Sequence, residues 1–315
     1  MIPFEVSDSK SHTATIVAGG LDHLLPSWEL HLRALNRSPK TITTYLEAAN
    51  QLLSYLEDKG MPTQASSIHR EHLEAFLVHL HQTRSASTAA NRYRSLRQLF
   101  RWLEEDGEVQ TSPMARMRPP SVEEQTVPVI PDDDLKALVR VCQGQGFEAR
   151  RDTALILVFL DTGARLSEIA DLQLGNVDLY RSATLLVRGK GNRDRLLKVG
   201  PKTSKALDRY LRVRGRHPDT ESRWVWLGKK GKLTGSGIAQ MLRRRCEQAG
   251  IDTVNPHQFR HTFSHKWLAA GGGEQDLMML TGWKSRDMLA RYGASTAAER
   301  ARDAHQWLSP VERLL

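Results

Sequence analysis

The chain has 315 residues, 40% of them hydrophobic, with 45 Lys and Arg against 36 Asp and Glu and two cysteines, Cys142 and Cys246. That length suits two domains with a core each. The cysteines belong to no paired motif, which excludes a disulfide scaffold and points to a reducing cytoplasm, and the notable apolar run, residues 154–160, is far too short to span a bilayer.

Residues 1–20 are polar, end in Gly19-Gly20 and predict a flexible tail; the first ten hold no basic stretch leading into an apolar one, so no export signal is expected. Helical signals begin near Leu24. Ser38-Pro39 offers an N-cap and a first-turn proline, and Ile42, Tyr45, Leu46, Ala49, Leu52, Leu53 and Leu56 follow at helical spacing until Lys59-Gly60. A second such helix covers about residues 69–82. A third starts at Ser87 and carries Ala90, Tyr93, Leu96, Leu99, Phe100 and Leu103 on its apolar side, ending by Gly107. Residues 21–107 therefore read as a small all-helical domain.

The net charge of +9 falls wholly in residues 121–315, because residues 1–120 carry 13 basic and 13 acidic side chains. Even so, residues 84–101 of the balanced part hold five arginines and no acid: Arg84, Arg92, Arg94, Arg97 and Arg101. Such a stretch suits nucleic acid, with a solvated helical face as the bland alternative. A membrane surface fits less well, since no strongly basic amphipathic anchor is present. Five prolines and few apolar residues between Gly107 and Pro131, with Arg116 and Arg118 among them, predict an extended linker over residues 108–130 and not a packed element.

The second domain, residues 131–315, opens with the helix start Pro131-Asp132-Asp133-Asp134 and continues through a buried helix over residues 151–160. Residues 184–188 and 195–199 are β-rich runs around a turn beginning Gly189-Lys190-Gly191-Asn192, and they read as a hairpin. Most of the chain after Ser236 reads as helix.

A widely spaced set of phosphate-binding residue types runs through this domain. In Thr162-Gly163-Ala164-Arg165-Leu166-Ser167-Glu168, the glycine lets the chain turn into a helix whose first turn carries Arg165. Its forked guanidinium matches phosphate oxygens, and Glu168, three residues on, can hold it; a surface ion pair is the competing reading. Lys190 at the hairpin tip can serve as general acid to an alkoxide, or can simply be solvated. Asn255-Pro256-His257-Gln258-Phe259-Arg260-His261 caps a helix and sets His257 and Arg260 on one face near its N-terminus, a ready anion site. His257, His261 and His265 also have metal-face spacing, but no Glu follows His257 and no Cys or Asp cluster supplies further ligands, so no metal is expected. Trp283 is either core or a single N–H donor that binds phosphate without acid–base work. Tyr292, nine residues later, is a poor nucleophile with a pKa of about 10 until nearby cations stabilise its developing charge. Two arginines, a lysine, a histidine and an indole converging on one oxyanion would stabilise a pentacoordinate phosphate, with Tyr292 placed to attack it.

At these residues the chain resembles the tyrosine recombinases, the phage-integrase and Xer-like family that includes Cre. The similarity covers roughly residues 24–300. It rests on the Thr-Gly-x-Arg-x-Ser-Glu block, the Gly-Lys-Gly-Asn turn, the His-x-x-Arg-His block, the Gly-Trp pair and the terminal Tyr, all in family order. The resemblance implies Arg165 and Arg260 on the scissile phosphate and Lys190 as acid to the leaving 5′ oxygen. It implies His257 in proton transfer and phosphate binding, Trp283 as a hydrogen-bond donor to phosphate, Tyr292 as the residue forming the 3′-phosphotyrosyl link, and Glu168 as support for the first arginine. Many members carry His where this chain has Trp283, although Cre-like members also use Trp. Neither metal nor nucleotide cofactor is implied, because the phosphotyrosine preserves the bond energy for rejoining.

The expected fold is mainly α: an N-terminal all-helical core-binding domain and a C-terminal α+β catalytic domain with a small antiparallel sheet, forming a C-shaped clamp on DNA. Candidate DNA contacts are Arg84, Arg92, Arg94, Arg97, Arg101, Arg116, Arg118 and Arg188. Ala297, Ala301, Ala304 and Leu308 at helical spacing, with Trp307 beside them, predict an amphipathic helix ended by Pro310. In the family such a helix docks on a neighbouring protomer of a DNA-bound tetramer; packing on its own domain is the alternative. The partners expected are duplex DNA with paired half-sites and further copies of the chain, in the cytoplasm and on the nucleoid when bound. Trp283 and the apolar tail of Val311, Leu314 and Leu315 after Pro310 lean toward the integrase of a mobile element, and the short N-terminal extension leans against it. A chromosome-dimer resolvase of Xer type, a type IB topoisomerase and a non-catalytic DNA-binding clamp are the rivals.

Overall fold

The computed structural model describes residues 19–122, 128–189 and 193–283, with the single residues Ser285, Leu289, Arg302, His305, Ser309 and Val311. The chain divides into two compact units, Met1–Glu124 and Gln125–Leu315. Lys190, Tyr292 and the C-terminal helix expected around residues 297–308 lie outside the described residues, except Arg302 and His305.

The first unit is built from α1 (Leu21–Ala34), α2 (Pro39–Asp58), α3 (Arg70–Thr83) and α4 (Ala86–Glu105). Local rules start two of them: the side chains of Ser38 and Ser85 accept hydrogen bonds from the Thr41 and Thr88 amides. Each helix buries one stripe, Leu21, Leu25, Trp28 and Leu32 on α1 and Leu73, Phe76, Leu77 and Leu80 on α3. The stripe of α4 is broader, from Ala89 to Leu103, and its opposite side carries the exposed Arg94, Arg97 and Arg101.

The linker expectation needs correcting at its N-terminal end. Val109, Met114 and Met117 are buried in the same core, and the Tyr93 hydroxyl donates to the Met117 carbonyl at 2.7 Å. Three large apolar side chains at irregular spacing close the bundle, although the prolines around them read as punctuation. Arg116 and Arg118 remain exposed.

The second unit contains α5 (Asp132–Val141), α6 (Phe147–Thr162), α7 (Leu166–Ala170), β1 (Val177–Asp178), β2 (Thr184–Gly189), β3 (Arg193–Lys198) and α8 (Pro201–Arg214). It continues through β4 (Leu227–Gly228), β5 (Gly231–Lys232), α9 (Gly235–Ala249), α10 (Pro256–Ala269) and α11 (Glu274–Thr281). The sheet order is β1-β2-β3, antiparallel, with Val187 opposite Arg195 and Gly189 opposite Arg193. The architecture is mainly helical with a small antiparallel sheet, as the sequence predicts. Helix α6 runs through the core with Leu155, Ile156, Val158 and Phe159 fully buried. Buried Asp152 accepts from Arg151 and Arg245, which fastens α6 to α9. Among the described residues no helix is long and apolar enough to cross a membrane.

Candidate active site

The site begins where α6 ends. Gly163 adopts φ 57°, and a Cβ on it would stand 2.5 Å from the Phe263 ring, so both backbone and space require glycine. The chain then extends through Arg165, which is the N-cap of α7 and not part of its first turn. The Arg165 amide donates to Glu168 Oε2 at 2.7 Å, and its guanidinium Nη1 donates to Oε1 at 2.9 Å. The amide bond explains the one-residue difference from the expectation, since the Glu168 side chain caps the helix from inside.

Glu168 has no exposed side-chain surface and serves a second arginine. Arg195 on β3 donates from Nε to Oε1 at 3.2 Å and from Nη2 to Oε2 at 2.7 Å, while its Nη1 donates to the Leu280 carbonyl. Burial, the largest influence, pushes the Glu168 carboxyl up, but the hydrogen bonds and charges of Arg195 and Arg165 outweigh it and hold the group below the usual carboxylate range. Glu168 is therefore an anion between two cations.

Arg260 comes from α10. The Asn255 side chain accepts from the His257 and Gln258 amides at 3.0 and 3.1 Å, and the Asn255 amide donates in return to Gln258 Oε1 at 2.8 Å. One turn in, Arg260 is 2% exposed. Its Nη1 donates to the Gly163 carbonyl at 2.8 Å and its Nη2 to the Thr281 carbonyl at 2.6 Å. Its guanidinium carbon lies 5.2 Å from the centroid of the Trp283 ring.

The end of α11 organises these groups. Gly282, at φ 67°, reverses the chain, and the Trp283 and Gly282 amides donate to the Met278 and Met279 carbonyls at 3.0 and 3.3 Å. The next two carbonyls, Leu280 and Thr281, receive Arg195 and Arg260. All four terminal acceptors are thus filled, and two cations sit at the negative end of the helix. A Cβ on Gly282 would stand 3.5 Å from Arg195 Cδ and 3.9 Å from Arg165 Nη1, so all three arginines border one helix end. Trp283 follows directly, 7% exposed against Leu268, Leu277 and Leu289.

His257 is exposed and sits one turn before Arg260. Burial of its inner edge, with the charges of Arg260 and Arg165 behind it, lowers its pKa. Its ring meets that of His261 edge-on at 4.6 Å. His261 is pushed down to about 4, first by burial, then by His257 and Arg260. A neutral imidazole at His257 can accept a proton as well as donate one. Among the described residues, no three His, Cys, Asp or Glu side chains form a group that could hold a metal ion.

Of the remaining candidates, Lys190 follows the last residue of β2 and, like Tyr292, lies outside the described residues. Arg84, Arg94 and Arg97 are exposed, and among the described residues their side chains have no hydrogen-bond or ion-pair partner. Arg101 pairs with Glu105 and Arg188 with Asp194, both on the surface. Arg92 departs from the expectation: it is 12% exposed and turned onto α2, donating to Gln51 at 2.9 Å and Glu47 at 3.4 Å. It ties two helices together and is no free cation. Arg195 belongs to no motif of the sequence; its signal is a cation in step with buried Leu197 and Val199 on an alternating strand.

The phage integrase family pattern matches residues 128–299, and that of the phage integrase N-terminal SAM-like domain matches residues 24–107. The chain belongs to the phage integrase family. This recombinase is 28% identical over 252 residues to tyrosine recombinase XerC of Lactobacillus leichmannii, covering 78% of this chain and 84% of that protein. It is 29% identical over 265 residues to XerC of Chromobacterium violaceum, covering 83% and 86%. Its fold is shared with the XerH site-specific recombinase bound to palindromic difH substrate, at a TM-score of 0.71 and 17% identity over 91% of this chain and 84% of that one. The Tn1549 transposon integrase in complex with transposon right end DNA gives 0.71 and 18% over 92% and 100%. The recombinase is accordingly an enzyme of the tyrosine-type, site-specific class.

Proposed function

We propose that the recombinase cuts and rejoins duplex DNA through Tyr292. The observation that carries this reading is the gathering of Arg165, Arg260 and Trp283 around the end of α11, with His257 one turn from Arg260. Arg165, Arg260 and the Trp283 indole bind the non-bridging oxygens of the scissile phosphate. The Tyr292 oxygen attacks phosphorus, the bond to the 5′ oxygen breaks, and Lys190 gives that oxygen its proton. His257 takes the phenolic proton, and the 3′-phosphotyrosyl link holds the strand until a 5′ hydroxyl reverses the step.

The helical unit over residues 21–107 and the catalytic unit from residue 131 each bind the duplex, with Arg84, Arg94, Arg97, Arg101, Arg116, Arg118 and Arg188 as candidate backbone contacts. Paired half-sites assemble a tetramer, with the C-terminal helix as the contact between protomers, in the cytoplasm. Two roles fit this chemistry. Trp283 favours the integrase of a mobile element, while the XerC relatives favour a chromosome-dimer resolvase.

Covalent trapping tests both levels. Wild type and Tyr292→Phe are mixed with nicked duplexes from a randomised pool and denatured in detergent. DNA attached to wild type alone is expected, and the captured sequence, mapped to an element end or to a chromosomal site, separates the two roles. Equal attachment by Tyr292→Phe removes Tyr292 as nucleophile, and salt-sensitive binding without attachment favours a non-catalytic clamp.

A further inference from the structure

Arg195 stands on the inward side of β3, in step with Leu197 and Val199, each 2% exposed. A guanidinium on such a face is costly unless its donors are paired. All three of its nitrogens are: Nε and Nη2 grip Glu168, and Nη1 meets the Leu280 carbonyl. Glu168 in turn divides its four acceptor positions between Arg195 and Arg165. Arg165, 36% exposed, is held to its carboxylate by one side-chain bond. Glu168 therefore orients Arg165 only while something else orients Glu168.

We propose that Arg195 is a positioning residue for strand cleavage. It fixes the Glu168 carboxylate that aims Arg165 at the phosphate. It also fastens the hairpin strand next to Lys190 to the end of α11, from which the chain leads through Trp283 to Tyr292. This inference rests on the reading of the site given above. Removing Arg195 leaves Arg260 its own anchors on Gly163 and Thr281, so the phosphate pocket loses its alignment while keeping its second arginine. DNA affinity, spread over many backbone contacts, stays nearly constant.

The test uses the full chain and a nicked duplex carrying the site captured by wild type, with Arg195→Gln, Arg195→Lys, Glu168→Gln and the double variant Arg195→Gln/Glu168→Gln. For Arg195→Gln, covalent-complex formation at saturating DNA is expected to slow about 10–10²-fold, the scale of a misplacement near 1 Å, while binding moves less than about threefold. Arg195→Lys keeps the charge but not the fork, so it is expected to recover little of the rate, and it carries the test if the glutamine variant does not fold. The double variant should be no slower than its slower parent, because both substitutions break one unit. Wild-type rate in Arg195→Gln, full recovery by lysine, or losses that multiply in the double variant would each overturn the proposal. Absence of attachment by wild type would instead overturn the reading of the site.

Discussion

The arginines of α4 and those around the end of α11 are the same chemical group in opposite settings. On α4, Arg94, Arg97 and Arg101 lie at i, i+3 and i+7 along one side of the helix, each exposed. Around α11, Arg195 and Arg260 are 14% and 2% exposed, and they donate to three carbonyls and a buried carboxylate. An exposed guanidinium keeps its water until a phosphate replaces it, so its contribution is small and independent of its neighbours. A buried one has its direction fixed before any ligand arrives, which is what transition-state stabilisation needs. Deletions on α4 should therefore be mild and additive, and deletions at α11 severe and coupled.

Arg260→Gln should give the largest effect short of losing Tyr292. It takes donors from Gly163 and Thr281 and the cation from the Trp283 face. Covalent-complex formation at saturating DNA should fall about 10²–10³-fold, the usual loss for one transition-state donor, with affinity changed only a few-fold. An affinity loss as large as the rate loss would make Arg260 an ordinary binding residue and end the contrast.

Acid should unfold the catalytic unit from a buried cause. His261 titrates near 6.5 when unfolded and near 4 when folded, so between those values the unfolded chain binds more protons and stability falls as pH falls. The full contribution is roughly 3 kcal/mol, present above pH 6.5 and lost below pH 4. His257, lowered as well, acts in the same direction. Chemical denaturation at stepped pH should show the slope, and His261→Gln should flatten it without abolishing it. An unchanged slope would place the acid sensitivity elsewhere.

A matched pair of glycines compares the units directly. Gly60 and Gly163 have φ of 61° and 57°, but only a Cβ on Gly163 would meet a neighbour, Phe263 at 2.5 Å. Gly60→Ala should cost about 1 kcal/mol from backbone strain alone, and Gly163→Ala about 2–3 kcal/mol. Thermal unfolding reads both, and equal shifts would show that Phe263 yields freely.

What was legible in the sequence is what local rules set. Gly163 before Arg165 and the Asn255-Pro256 cap that aims His257 and Arg260 depend on near neighbours in the chain. Arg195, the packing of Val109, Met114 and Met117, and the inward turn of Arg92 depend on partners 24 to 85 residues away, as in Tyr93 to Met117 and Arg195 to Leu280. The four arginines of α4 look alike in the sequence until α2 supplies Glu47 and Gln51 for one of them. Composition registers their charge and cannot register which of them is already occupied.

That distinction yields the smallest and sharpest effect. Each arginine that replaces counterions on a phosphate should contribute about 0.9 to the slope of log affinity against log salt. Arg97→Gln should lower the slope by about that amount, and Arg94→Gln combined with it should lower it by about twice as much, because exposed contacts add. Arg92→Gln should leave the slope where it was and show its effect in thermal stability, since its donors serve Gln51, Glu47 and the Thr44 carbonyl. Fluorescence anisotropy across a salt series measures all three. Should Arg92→Gln lower the slope as Arg97→Gln does, then Arg92 leaves α2 for the DNA. The exchange would be possible because its Glu47 contact is long and half-exposed, 3.4 Å with 54% of the carboxylate side chain open to water. The boundary between occupied and available arginines would then be set by the DNA and not by the fold.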